Sequence, residues 1–152
     1  MNPPGRTYCQ DCGRRVAKYP SRQSPSSGTT AAQTATSGPT VQGAKVKTIC
    51  FGGESINLTS HLVSGGITVF DFYADWCGPC KSLGPVLEKY VQSTPDVFLR
   101  KINIKEWGSP VAEKYGIRSV PSIWIYGRKG QVVAQGINGM GSVQQALQQA
   151  LQ

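Results

Sequence analysis

Two short stretches carry the residues able to do chemistry. "DFYADWCGPCK", residues 71–81, holds Cys77 and Cys80 around a Gly-Pro pair, and "YCQDCGRR", residues 8–15, holds Cys9 and Cys12. A Cys-x-x-Cys unit supplies either two ligands of a zinc site or a dithiol that cycles with its disulfide. At the central pair zinc would need two further ligands, and no Cys or His follows Cys80 in the chain. Redox exchange is the preferred reading there. Cys77 falls between an apolar run and a helix that Pro79 is suited to open. The N-terminus of a helix offers free N–H groups and a partial positive charge, both of which stabilise a thiolate. Cys80, three residues on, shares that helix face and lies within reach to resolve a mixed disulfide. Asp71 sits in "TVFDFYA", where its near neighbours are apolar or aromatic. Ionising a carboxyl there is costly, so its pKa is expected to be raised.

The elements that must position these residues are legible from composition and periodicity. Residues 1–19 are basic and hold the first cysteine pair, residues 20–44 are almost wholly Ser, Thr, Ala, Gln, Gly and Pro, and residues 45–152 alternate apolar runs with helical patterns. The middle stretch has little to bury and reads as a flexible linker. The net charge of +8 is concentrated in the first 47 residues, where seven Lys and Arg face one Asp. The excess therefore does not mark a basic nucleic-acid-binding domain. Within 45–152, strands are expected at "VKTICF", "ITVFDFYA", "VFLRKINI" and on both sides of the turn at Arg128–Gly130, with helices over "INLTSHLVSG", residues 79–93, "SPVAEKYG" and "SVQQALQQALQ". The run from Ile67 to Ala74 has the composition of a central strand buried on both faces. Strands mixed with helices on this scale predict an α/β domain around one sheet. Cys50 reads as a small core residue of the first strand, and His61 as a surface group.

The residues around Cys77 sharpen the reading. "DFYADWCGPCK" closely resembles the active-site segment of the thioredoxin family, including Trp76, Gly78, Pro79 and Lys81, and "YGIRSVPSIWIYGRKGQVV" is similar to that family's later segment. The resemblance implies a thioredoxin fold, a central mixed β-sheet flanked by helices, with a dithiol–disulfide exchange activity. It assigns attack to Cys77, resolution to Cys80, and proton handling at Cys80 to Asp71 with Lys101 beside it. From the strand pattern alone Lys101 reads as a solvated charge. The resemblance also makes the Val120–Pro121 bond cis, freeing the Val120 backbone to pair with an extended substrate, and gathers Trp76, Gly78, Pro79, Val120 and Pro121 at the substrate-binding surface. The Gly-Pro dipeptide is that of the reducing members, so a protein-disulfide reductase is expected. With the thioredoxin thiol pKa of ~7 in place of ~8.5, the thiolate fraction at pH 7 rises roughly 16-fold while intrinsic nucleophilicity falls about 5- to 6-fold. The net gain is only about 3-fold, so positioning and the second thiol must supply the rest.

The implied partners are disulfide-containing proteins and a reductase that restores the dithiol; no nucleic acid is expected. No organic cofactor is implied, since "CFGG" and "INGMG" lack the spacing of a nucleotide loop. No stretch approaches the ~18 apolar residues of a membrane span, and "MNPPGRTYCQDC" lacks the apolar region of a secretory signal, so a cytoplasmic location is expected. Cys9 and Cys12 resemble one knuckle of a zinc ribbon, but thioredoxins with such a ribbon carry two Cys-x-x-Cys units there and this chain has one. A zinc half-site, a secondary dithiol and an inert remnant all stay open for them. The competing function is a zinc-binding adaptor or redox sensor that uses the fold as a scaffold.

Overall fold

The computed structural model describes residues 43–152. The predicted 1–19 segment, with Cys9 and Cys12, lies outside the described residues, as does nearly all of the expected linker. Five strands form one mixed sheet: β1 (Val46–Cys50), β2 (Ile67–Tyr73), β3 (Val97–Asn103), β4 (Ser122–Tyr126) and β5 (Val132–Ile137), in the order β1-β3-β2-β4-β5. β1 and β2 run parallel to β3, while β4 is antiparallel to β2 and to β5. The helices are α1 (Gly78–Ser93), α2 (Pro110–Lys114) and α3 (Met140–Leu151).

The strand alternation of side chains divides the core in two. Ile67 and Val69 of β2, Val97 and Leu99 of β3, and Ile123 and Ile125 of β4 pack with Leu87 and Val91 of α1 and with Val143 and Leu147 of α3. On the opposite face Phe70, Phe72 and Ile102 pack with Val111 and Ala112 of α2 and with Ile56 and Leu58. Burial on both faces is why β2 reads as a nearly continuous apolar run instead of an alternating one. Each fully buried Leu or Ile contributes about 1.5–3 kcal/mol by leaving water. Among the described residues no helix is long and apolar enough to cross a membrane.

One predicted element is corrected. In place of a helix over residues 56–65, the structure has a single 3-10 turn, Leu58–His61, capped by the Asn57 side chain, which accepts from Thr59 N–H at 3.2 Å. Tertiary contacts compete for this backbone. Ile56 O accepts from Lys114 Nζ at 2.7 Å and from the Tyr115 hydroxyl at 3.0 Å, Leu58 N–H donates to the Tyr115 oxygen, and Val63 N–H donates to Thr68 Oγ1 at 2.9 Å. The last helix begins at Met140, two residues before the predicted start.

Candidate active site

α1 starts where β2 delivers the chain after a short turn, and Cys77 is its N-cap. Cys77 adopts an extended backbone (φ −82°, ψ 109°), and its Sγ accepts the Cys80 N–H at 3.2 Å. Pro79 occupies the first turn, where its missing N–H leaves no helix bond unmade. A disulfide joins Cys77 and Cys80, whose Cα atoms are 5.3 Å apart. Both cysteines are buried, and no acidic residue lies in the first turn of the helix. The sulfur that accepts an N–H bond at a positive helix end is the one placed to hold negative charge after reduction.

The Val120–Pro121 peptide is cis, and the Val120 carbonyl oxygen lies 3.6 Å from Cys77 Sγ. Gly78, the first residue of α1, has open space where a Cβ would stand. Trp76 is 51% exposed and does not cap the core. Its indole N–H donates to Lys105 O at 2.7 Å, and its ring lies 5.2 Å from that of Trp107. Asn103 ties this loop down: its side-chain N–H donates to Asp75 Oδ2 at 2.8 Å and its Oδ1 accepts Lys105 N–H at 2.9 Å. Lys105 itself takes a left-handed backbone, φ 65°.

Asp71 and Lys101 are paired residues of the adjacent strands β2 and β3, and their side chains point to the α1 face of the sheet. Asp71 is buried, and burial pushes its carboxyl from the ordinary 3.8 up to about 6; the Lys101 charge pulls it down and the Glu88 charge pushes it up again. Lys101 is half-buried, not a fully solvated charge, and its ion pair is with Glu88 instead of Asp71. Its ammonium donates to Glu88 Oε1 of α1 at 2.6 Å and stands 4.9 Å from the centre of the Tyr73 ring. Burial alone would lower the Lys101 pKa, but the bond and charge of Glu88, together with Asp71, hold it above the ordinary range. Cys80, Tyr73, Asp75, Glu88 and Lys101 line one open cleft of about 250 Å³ behind the disulfide. Such a volume holds several waters, which gives Cys80 and the Lys101–Glu88 pair a common opening to solvent.

Glu88, Asn103 and Trp107 were not singled out from the sequence. Glu88 lies on α1 two turns beyond Cys80, and that spacing was the one local sign of it. Cys50 is fully buried, its Sγ 3.4 Å from Asn103 O; burial, reinforced by the Glu54 charge, raises its thiol to about 11. That holds it as an inert thiol in the core. Among the described residues no group of three or more His, Cys, Asp or Glu is placed to hold a metal ion.

Comparison with known proteins matches this geometry. The thioredoxin family model fits residues 55–152. The chain is 42% identical to the thioredoxin of Chlamydia pneumoniae over 82 residues, covering 54% of this chain and 78% of that one. It is 41% identical to the Chlamydia caviae thioredoxin over 67 residues, covering 44% of this chain and 65% of the relative. Thioredoxin-1 of Saccharomyces cerevisiae is 33% identical over 60% of this chain and 84% of its own. Among solved structures, the short form of spinach chloroplast thioredoxin f superposes with a TM-score of 0.59 at 26% identity, covering 71% of this chain and 95% of that one. The chain thus belongs to the thioredoxin family, and Cys77 and Cys80 form the redox disulfide of its thiol–disulfide oxidoreductase domain.

Proposed function

We propose that the domain reduces protein disulfides, with Cys77 as the attacking sulfur. The observation that carries this is the position of Cys77 Sγ: at the N-cap of α1, bonded to Cys80 N–H, with the Val120 carbonyl 3.6 Å away. In the dithiol form the Cys77 thiolate attacks one sulfur of a substrate disulfide. That S–S bond breaks, a mixed disulfide forms, and the first substrate thiolate leaves and takes a proton from water. Cys80 then gives its proton to the Asp71 carboxylate and attacks Cys77 Sγ. The second substrate thiolate leaves, and the Cys77–Cys80 disulfide remains. Two electrons have passed from the dithiol to the substrate. Val120, Pro121, Trp76, Gly78 and Pro79 form the rim on which an extended substrate chain lies. Regeneration requires a dithiol-donating reductase partner, and the site of action is the cytoplasm. No metal or organic cofactor enters the cycle.

Insulin disulfide reduction with dithiothreitol as electron donor tests the reading. Wild-type protein should accelerate precipitation of the insulin B chain, and Cys77→Ser should fall to the dithiothreitol background. Equal turnover by the two proteins would reject the enzyme and leave the scaffold reading.

A further inference from the structure

The ion pair between Lys101 and Glu88 is unexpected, because Lys101 has a carboxylate closer at hand in sequence register. Asp71 is its paired residue on the neighbouring strand and is buried, where an ammonium would be most strongly attracted. The charged and titratable groups acting at this place come from four elements: Lys101 from β3, Glu88 with Cys80 and Lys81 from α1, Tyr73 and Asp75 from β2 and the turn after it, and the Cys50 thiol of β1, which acts on Tyr73. β4 contributes Ile123 opposite Asp71, and α3 contributes Val143 and Leu147, none of which carries charge. Glu88 reaches the same cleft as Cys80 and takes the ammonium at 2.6 Å, while the Tyr73 ring receives its other side.

We propose that Glu88 is a positioning residue that holds the Lys101 ammonium off Asp71, leaving the Asp71 carboxylate free to accept the Cys80 proton during resolution. The inference rests on the reductase reading above. If Lys101 paired directly with Asp71, the carboxylate would be a weaker base facing the same thiol. The upward push of the Glu88 charge on the Asp71 carboxyl agrees in direction with this role.

The test separates attack from resolution. Reduced protein is mixed in stopped flow with an aromatic chromogenic disulfide, so that the first thiolate released reports attack by Cys77 and the second reports resolution by Cys80. Both rates are followed from pH 5 to 9 for wild type, Glu88→Gln, Lys101→Met and the double variant. In Glu88→Gln the acid limb of the second phase should move to lower pH, and its neutral-pH rate should fall about 3-fold for each tenfold loss of base strength. The first phase should not change. Lys101→Met should move the limb to higher pH, and adding Glu88→Gln to it should shift the limb less than Glu88→Gln does alone, since only the direct charge of Glu88 on Asp71 is then lost and there is no ammonium to hold. A second phase in Glu88→Gln that superimposes on wild type overturns the proposal, as does a double variant whose shift is the sum of the two single ones. Glu88→Asp should recover part of the wild-type profile, which a role confined to helix stability would not require. If Cys77→Ser keeps wild-type turnover, the reductase reading fails; if only the Glu88 variants are silent, this inference alone fails.

Discussion

Replacing Asp71 by Asn should stabilise the oxidised domain at neutral pH and leave it unaffected in acid. The folded carboxyl titrates at about 6, while in the unfolded chain it returns to 3.8. Between those values the folded state binds the proton more tightly than the unfolded state, so wild-type stability falls as pH rises through this window. Below it both states are protonated and there is no penalty; above it the full penalty is present. At ~1.4 kcal/mol for each tenfold difference in proton affinity, the penalty amounts to about 3 kcal/mol. Asp71 is buried, so solvent screening takes little from this figure. Asn has nearly the same shape and never ionises, so the variant escapes the penalty. For a domain of this size the gain is roughly 10 °C in Tm at pH 8, shrinking to nothing near pH 3.5. Thermal or urea unfolding of both proteins in the disulfide form, at several pH values between 3.5 and 8, measures the difference. A difference that stays constant across that range, or a variant less stable at pH 8, would refute the claim that an ionised carboxylate is held in the core.

Two further expectations concern the loops around the site. Gly53 has φ 76°, and a Cβ there would stand 2.6 Å from Ile104 O and 2.8 Å from Ser109 Cβ; its N–H donates to Asn103 O and its carbonyl accepts Val111 N–H. Gly53→Ala should therefore cost about 2–4 kcal/mol, read as a lowered urea midpoint at unchanged slope. Asn103→Ala removes two bonds, to Asp75 and Lys105 N–H, from a buried position. It should cost about 2 kcal/mol and loosen the loop that accepts the Trp76 indole, visible as a shift in tryptophan fluorescence.

How much of this could be read before folding depends on how far each signal reaches along the chain. The run Ile67–Tyr73 announces a buried strand through its own composition, and Pro79 announces the start of α1 through its own missing N–H. The first turn of α1 then fixes Cys77 and Cys80 relative to one another, because three residues apart on a helix is a short distance whatever the rest of the molecule does. Where local propensity met a tertiary competitor, it lost. Residues 56–65 have a helical pattern, yet the hydroxyl of Tyr115 and the ammonium of Lys114, nearly sixty residues away, claim the Ile56 carbonyl.

By itself the sequence determined that a dithiol stands at a helix N-terminus after a buried strand, with an Asp inside that strand. Only the tertiary structure decided which charges surround that Asp. Lys101 becomes its neighbour through the register of β2 on β3, and Glu88 meets Lys101 because α1 packs over that face of the sheet. Those groups lie thirteen and more positions apart along the chain, beyond the reach of helix or strand periodicity. Electrostatic energy depends on distance and burial, and neither exists for such pairs until the sheet has formed.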